Sequence, residues 1–300
     1  MPLRDTSKYS IKIEGEPKEV ENIRKKIVES FDELEFVDEG HKYFLHGEEL
    51  TSVSNITHLF SPEFNDEEQA IKYAKKNGET PQYWLDKWKY TSLKATTTGT
   101  LVHAFAESYS WLRCGHPELI TEECKCKYDK EHNWLIPTRD KEESVLNFFA
   151  QLDPTLHMVM AETKLYSGVN PDLPKFNQNY AGTFDLLMYY KHPTDDSKSG
   201  LVILDYKTNS DLYKEYSRQH NKMLFYPFND MYDEALSNYT IQLSLYQIPL
   251  EDIGLKIIAR RVVWLKPDGE FEMIKIPDVT DKLRLYFTSK NNKKKTNNKK

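Results

Sequence analysis

The chain of 300 residues has only three cysteines, Cys114, Cys124 and Cys126. So small and odd a number in a chain of this length argues against a disulfide framework and favours free thiols in a reducing compartment. Cys124 and Cys126 could contribute to a zinc site, although zinc sites ordinarily use four ligands in two pairs. Free thiols are the preferred interpretation, and zinc stays the alternative.

Long apolar runs, a signal-peptide core and internal repeats are missing as well. No apolar run approaches the roughly 18 residues that a membrane-spanning helix needs, and the first residues, MPLRDTSKYS, lack the apolar core of a signal peptide. These absences predict an intracellular protein without a membrane partner. Since no period of roughly 20 to 50 residues repeats, a solenoid or propeller is not expected.

The charges are unevenly distributed along the chain. The net charge is −6, but the last eleven residues, KNNKKKTNNKK, hold six lysines, so the rest of the chain carries −12. An acidic body argues against a general nucleic-acid coat, yet permits a local basic channel beside an acidic site. The Lys/Asn-rich tail, residues 289–300, is predicted to be disordered. It is either a solubilising end or a segment that touches DNA or serves in targeting.

The order of the predicted elements indicates an α/β domain. Residues 1–39 are interpreted as an N-terminal appendage of one strand (YSIKI) and one charged helix, and residues 40–60 as a hairpin around His46 and Gly47 followed by a helix. Helices are predicted over 66–78, 81–91, 100–113, 140–152, 231–248 and 280–289. Strands are predicted over 157–166, 181–190 and 201–207, with a late hairpin that turns at 267–269. Helices before and after a central set of strands predict a layered α/β domain.

Two aspartates occupy neighbouring predicted strands. The polar segment 191–200 is interpreted as the hairpin loop between these strands, and pairing of Tyr190 near Gly200 and Leu201 would place Asp185 opposite Asp205. The loop fixes this register only approximately, and a slip of one residue stays open. Facing carboxylates on paired strands repel each other, and buried charge is costly without compensation. The pair therefore predicts a bound cation, for which Mg²⁺ with its preference for oxygen ligands is the natural choice.

Lys207 follows Asp205 by two residues, so it projects from the same face of the strand. There it can hold a water beside the metal or help to deprotonate it, and this set of groups suits phosphodiester hydrolysis. The Asp-x-Lys pattern alone is a weak signal, because it occurs by chance in many strands. The opposed Asp185 and the apolar flanks strengthen it.

Four segments in order resemble the PD-(D/E)XK nuclease superfamily, in particular its RecB-like exonuclease branch. GTFDLL (182–187) with LVILDYKT (201–208) resembles the nuclease core, and TGTLVHAFAE (98–107) resembles the histidine helix of that branch. YTIQLSLYQIPLE (239–251) resembles its glutamine–tyrosine motif. KML (222–224) and PDGEFEMIKIP (267–277) are similar to segments of viral and phage members, themselves similar to the mitochondrial genome maintenance exonuclease. The resemblance covers about residues 41–277.

This resemblance implies a nuclease domain over residues 40–288, with a central mixed β-sheet flanked by helices and a helical N-terminal elaboration. It implies Mg²⁺ or Mn²⁺ as cofactor and DNA as substrate, often at single-stranded ends, as in DNA repair or recombination. The implied metal ligands are His103, Asp185, Asp205 and the carbonyl of Tyr206, and Lys207 would serve the nucleophilic water. Thr208, Gln242 and Tyr246 would support the site or contact the phosphate backbone.

One departure from the family concerns iron–sulfur chemistry. Several members hold a cluster with four cysteines, one before the histidine and three after the glutamine–tyrosine motif. The three cysteines of this chain all lie between residues 114 and 126. We therefore predict no iron–sulfur cluster.

The residues alone leave other interpretations open. His103 is also consistent with an ordinary surface or core histidine, and Gln242 with Tyr246, spaced i and i+4, with ordinary helix packing. Glu162, a third carboxylate among apolar residues, either completes a second metal position or pairs with Lys164.

Residues 72–94 hold six lysines against two acidic residues, with tyrosines and tryptophans between them. Lysines interleaved with aromatic rings suit a single-stranded nucleic acid, because every base has a face that can stack. Lys87 and Lys89 are the preferred DNA contacts, since they precede the His103 helix. For Trp84 and Trp88 burial between two helices is the favoured alternative.

The leading hypothesis is a divalent-metal-dependent DNA exonuclease that prefers single-stranded ends. A structure- or sequence-specific endonuclease on the same fold is the second. The third is a non-catalytic DNA-binding or assembly protein. The cluster of Asp185, Asp205 and Lys207 argues against it, because a binding protein has no need for buried charges that are costly to the fold. Protein partners are not indicated.

Overall fold

The computed structural model describes residues 17–125, 128–131 and 134–289. The predicted strand at YSIKI, the tail beyond residue 289 and Cys126 lie outside these ranges. The helices in the described part are α1 (Lys18–Phe31), α2 (Val53–His58), α3 (Asp66–Asn77), α4 (Pro81–Arg113), α5 (Glu122–Lys125), α6 (Asp140–Ala150), α7 (Tyr216–Gln219), α8 (Ala235–Asp252) and α9 (Thr280–Thr288).

The strands in the described residues form one mixed sheet and one short hairpin. They are β1 (Leu34–Val37), β2 (Lys42–Leu45), β3 (Glu48–Ser52), β4 (Tyr128–Asp129), β5 (Trp134–Leu135), β6 (Leu156–Tyr166), β7 (Tyr180–Tyr190), β8 (Gly200–Lys207), β9 (Ile257–Leu265) and β10 (Phe271–Lys275). The order β1-β2-β3-β7-β8-β9-β10 defines the large sheet, β6 pairs with β7, and β4 with β5 forms the hairpin. Strand β8 runs antiparallel to β7 and parallel to β9. The predicted central mixed sheet flanked by helices is therefore confirmed at this level.

Helices cover both faces of the large sheet, because its central strands carry apolar residues on both sides. In β8, Leu201 and Ile203 belong to one core cluster, with residues of α1, α2, α8 and α9. Val202, Leu204 and Tyr206 alternate with them and belong to the other, with residues of α4 and α6. This alternation follows from the two-residue period of a strand. Asp205 and Lys207 follow at the same two-residue spacing, so their side chains project from the same face of the sheet as Leu201 and Ile203, the face on which α8 packs.

The helix α1 packs directly on the sheet. Its apolar stripe of Val20, Ile27 and Phe31 is buried in the same cluster as the central strands, and the Arg24 side chain donates a hydrogen bond to the carbonyl of Val159 in β6. The boundary at residue 39 stays a prediction, but α1 shares its core with the sheet. No helix in the part of the chain that the structure describes is long and apolar enough to cross a membrane.

The prediction of two helices over 81–91 and 100–113 was wrong, because α4 is continuous from Pro81 to Arg113. The segment between them is rich in threonine and contains Gly99, residues of low helix propensity. Thr91 and Thr100 nevertheless donate their hydroxyl groups to backbone carbonyls one turn earlier, so their side chains are satisfied within the helix. Thr80 caps the start of α4 by accepting from the Tyr83 amide, with Pro81 as first residue.

Candidate metal centre

Three carboxylates stand in one row across neighbouring strands. In the β7–β8 hairpin the pairs run from Tyr190 with Gly200 to Leu186 with Leu204, and Asp185 and Asp205 follow directly beyond the last of these pairs. Tyr190 was predicted to pair near Gly200 and Leu201, with a slip of one residue left open, and the structure pairs it with Gly200. In the β6–β7 pair, Ala161 faces Leu186 and Thr163 faces Phe184, which sets Glu162 in register with Asp185. The fold therefore places Glu162, Asp185 and Asp205 side by side.

His103 reaches this row from α4, on the face of the sheet opposite α8. Its Nδ1 atom lies 3.3 Å from Oε1 of Glu162 and 3.5 Å from Oδ1 of Asp185. The ligand atoms of these three residues all lie within 4.8 Å of one another. One imidazole and two carboxylates at this spacing form a donor set suited to a divalent cation with mixed oxygen and nitrogen ligands.

Asp185 and Tyr206 tie the two strands together at the site. The backbone amide of Tyr206 donates a hydrogen bond of 2.6 Å to Oδ2 of Asp185, which leaves Oδ1 directed at His103. The side chain of Tyr206 is buried in the other core cluster, beside Phe148. The Tyr206 side chain thus packs in the core away from the row, and the predicted role of its backbone carbonyl as a metal ligand stays a prediction.

Asp205 is the most deeply buried member of the row, with 1% of its surface exposed. The Nζ atom of Lys207 lies 2.5 Å from its Oδ2 atom. Apart from this ammonium, neither carboxylate oxygen of Asp205 has a hydrogen-bond partner among the described residues. Buried carboxylate oxygens normally have hydrogen-bond partners. The Asp205 carboxylate, which lacks them, is therefore suited to bind a cation. The residues present thus fit a metal, with Asp205 beside the triad of His103, Glu162 and Asp185.

The proton affinities of these groups are strongly shifted. Burial and the neighbouring Asp185 raise the pKa of Asp205 to about 6, and burial is also the main cause that raises the pKa of Asp185. Burial alone would lower the pKa of His103, but the carboxylates of Asp185 and Glu162 outweigh it and raise the pKa to about 9. Burial likewise opposes the charge of Lys207, yet Asp205 and Asp185 raise its pKa. Without metal, His103 and Lys207 are therefore the cations that neutralise the carboxylates.

Glu162 has an unusual backbone conformation. Its φ angle is +43°, in the left-handed region that non-glycine residues rarely enter. Such strain persists only where the surroundings impose it, and it clusters at functional sites. The structure pairs Glu162 with His103 and not with Lys164, whose ammonium lies 4.9 Å from the ring centroid of Phe36. The other interpretation, a second metal position, stays a prediction.

The glutamine and tyrosine of α8 lie under the row of carboxylates. Gln242 donates a hydrogen bond of 3.1 Å to the hydroxyl of Tyr246, which is buried. Burial and the charges of Asp205 and Asp185 raise the pKa of Tyr246. A Cβ atom at Gly182 would lie 2.8 Å from the Tyr246 ring, so this close approach of helix and strand requires glycine. Burial of Tyr246 makes it a support for the site rather than a surface contact.

The structure adds residues that the sequence interpretation did not single out. The Lys207 ammonium lies 4.5 Å from the ring centroid of Tyr239, and the Tyr239 hydroxyl donates to Oδ1 of Asn209 at 2.9 Å. The Lys141 ammonium donates to the carbonyl of Thr208. The sequence feature that could have identified Tyr239 is its spacing: it precedes Gln242 by three residues and therefore lies on the same face of the helix. The contacts of Lys141 and Asn209 depend on long-range packing.

The lysines Lys87 and Lys89 lie on the exposed first half of α4. Trp84 and Trp88 pack against Tyr73 of α3, with ring centroids 5.2 and 5.6 Å apart, and are half-buried. The alternative of tryptophans packed between two helices is thus the one observed. The Lys87 ammonium lies 4.7 Å from the Trp84 ring. Further along α4, Gly99 adjoins Thr208, so the same helix connects this basic segment to the carboxylate row.

A scan against models of protein families finds no family that matches this chain, and a search of curated proteins finds no match either.

Proposed function

We propose that this chain is a divalent-metal-dependent DNA exonuclease with a PD-(D/E)XK core, acting preferentially on single-stranded ends. One observation carries the proposal: Glu162, Asp185 and Asp205 stand in register on three neighbouring strands, with His103 and Lys207 at the same place. A buried row of like charges destabilises a fold unless a cation compensates it. A chain without a use for the cation would be more stable with apolar residues there.

Each residue has a defined task in this proposal. His103, Glu162 and Asp185 hold the cation from three separate elements, and Asp205 contributes its free oxygen atom. Bound Mg²⁺ or Mn²⁺ supplies Lewis-acid activation of a water and neutralises charge on the phosphate. Lys207 is protonated, so its part is to orient the attacking water and to stabilise negative charge that develops on the phosphate.

The preference for single-stranded DNA is supported by the first half of α4. From Lys89 to Thr97 every residue of this helix is exposed, and the exposed side chains include Tyr90 and Leu93. Lysines beside exposed aromatic rings can contact both the phosphates and the bases of an unpaired strand. Because α4 also carries His103, a strand that lies along this helix is led to the carboxylate row.

The experiment compares end-labelled linear DNA with circular single-stranded DNA, in Mg²⁺, in Mn²⁺ and in EDTA. We expect linear single strands to be shortened from an end in either metal, with no cleavage in EDTA and intact circles. Nicked circles would favour an endonuclease on the same fold. Binding without any cleavage would favour the non-catalytic hypothesis, and cleavage in EDTA would contradict a metal-dependent nuclease.

A further inference from the structure

The ammonium group of Lys207 has two neighbours of different kinds. One is the carboxylate of Asp205, whose Oδ2 atom lies 2.5 Å from Nζ. The other is the ring of Tyr239 on α8, whose centroid lies 4.5 Å from Nζ. The side chain of Lys207 is only 16% exposed, so few waters can replace either neighbour. The ammonium is therefore held between a charged group and an aromatic ring.

The Tyr239 ring is itself fixed in place. Its hydroxyl donates to Oδ1 of Asn209, two residues beyond Lys207, and the Asn209 carbonyl accepts a hydrogen bond of 2.8 Å from Nε1 of Trp264. Trp264 is paired with Lys207 across β8 and β9. The ring is thus anchored to the segment that leaves β8, and turning it away would break its hydrogen bond to the Asn209 side chain.

A cation in the site and the Lys207 ammonium compete for the same carboxylate. Asp205 has the Lys207 ammonium as its one close partner among the described residues, so a metal that takes Asp205 weakens or replaces this ion pair. Displaced into a low-dielectric interior with no other partner, an ammonium would be strongly destabilised. The face of an aromatic ring within about 6 Å offers a cation a favourable site without presenting a competing anion to the metal.

We propose that Tyr239 is a positioning residue that holds the Lys207 ammonium at the site when a metal ion engages Asp205. The ring keeps the ammonium beside the reacting phosphate. It also prevents the ammonium from moving into solvent once a metal ion has taken Asp205. The part of this inference that concerns catalysis rests on the proposed nuclease function. The placement of the ammonium does not, and it can be measured in a protein that cleaves nothing.

The first test uses nuclear magnetic resonance of the full chain with ¹³C-labelled lysine. A lysine over an aromatic ring shows an upfield ring-current shift of its ε-methylene group, and Lys207→Arg assigns the signal. We expect this shift in the metal-free protein and also with saturating Mg²⁺. Tyr239→Leu should abolish it and Tyr239→Phe retain it. Loss of the shift on adding Mg²⁺, or its persistence in Tyr239→Leu, would overturn the proposal.

A matched control is available on the surface. The Lys222 ammonium lies 4.7 Å from the ring of Tyr216, in a comparable contact that involves none of the carboxylates. Tyr216→Leu should remove the shift of Lys222 and leave both the Lys207 signal and the cleavage rate unchanged. This variant separates a general effect of losing a tyrosine from the effect of losing Tyr239.

The second test measures kcat for single-stranded DNA in a double-mutant cycle. We expect Tyr239→Leu to lower kcat about thirtyfold, the size of a desolvated cation–π contact, and Tyr239→Phe to stay within about threefold of the wild type. In the Lys207→Ala background, Tyr239→Leu should cause no further loss. An equal loss in both backgrounds would assign Tyr239 a purely structural role. A wild-type chain without activity would refute the nuclease, and the resonance experiment would still decide the placement.

Discussion

The Nδ1 atom of His103, on α4, lies 3.5 Å from Oδ1 of Asp185, on β7. Together with Glu162, this carboxylate raises the pKa of His103 to about 9, although burial opposes the charged form. The metal-free imidazole is therefore protonated at pH 7, whereas a metal ligand must be the neutral form. A metal ion bound by His103 would accordingly compete with this proton for one nitrogen atom.

This competition predicts that binding of Mn²⁺ near pH 7 releases about one proton from His103. Calorimetric titrations in buffers of different ionisation enthalpy measure the number released. Because the folded-state pKa is raised, the release is largest well below pH 9 and falls as the pH approaches it, while the affinity for Mn²⁺ rises over the same interval. His103→Gln should bind Mn²⁺ more weakly and remove this proton. A heat of binding that is the same in every buffer would contradict the assignment of His103 as a ligand.

Lys207→Ala should retain the fold and the binding of DNA but lower kcat by about 100-fold or more, as for loss of a group that stabilises developing charge. Lys198→Ala is the control, since Lys198 is exposed and pairs only with Asp195 among the described residues. Fluorescence anisotropy with labelled DNA measures binding, and a cleavage assay measures kcat. Full activity of Lys207→Ala would show that Lys207 takes no part in the reaction.

Asp205→Asn should reduce the stabilisation of the fold by metal. A ligand that binds only the folded state raises the melting temperature, and a tighter ligand raises it more at the same concentration. Millimolar Mn²⁺ should therefore raise the melting temperature of the wild type more than that of the variant. Asp196→Asn, at an exposed aspartate of the β7–β8 loop, should respond like the wild type. Equal shifts in Asp205→Asn and the wild type would mean that the ion binds elsewhere.

The carboxylate row was predictable in part because one hairpin fixes it. The length of the polar loop predicts the register of the two strands to within about one residue, and the observed pairing of Tyr190 with Gly200 then brings Asp185 beside Asp205. The bounds of β6, β7 and β8 differ from the predicted strands by one residue at most. Alternating apolar patterns between polar loops are local signals, and the sequence carries them directly.

Other features of the site depend on contacts between distant segments. The left-handed conformation of Glu162 has no local signal, because glutamate is not a residue that favours it. The contact of Tyr239 with Lys207 requires α8 to pack on β8, and the sequence indicates only that Tyr239 shares a face with Gln242. Local helix propensity predicts a break in the middle of α4, yet the helix is continuous. The packing of Val102 and later residues of α4 in the core stabilises the helix beyond this segment of low propensity.

The lysines of α4 predict a salt-dependent affinity for single-stranded DNA. Lys87→Ala and Lys89→Ala together should weaken binding, and each should lower the slope of log affinity against log salt by about 0.7 if its lysine neutralises one phosphate. Lys256→Ala, a lysine at the far end of the β8–β9 pair, should leave the slope unchanged. Anisotropy titrations at several salt concentrations measure it, and an unaltered slope in the double variant would exclude α4 as the DNA contact.

Glu162 offers a test that separates stability from metal binding. Its φ of +43° strains any residue with a Cβ atom, whereas glycine adopts it freely. Both Glu162→Gly and Glu162→Ala remove the carboxylate, so both should weaken Mn²⁺ binding to a similar degree in calorimetry. The glycine variant should nevertheless be more stable than the alanine variant by about 1 kcal/mol, the cost of a left-handed conformation. Chemical denaturation of the two metal-free variants measures this difference. Both variants lose the same ion pair with His103. Equal stabilities would therefore show that the backbone at residue 162 relaxes once its carboxylate is gone, and that the ion pair with His103 imposes the strained conformation.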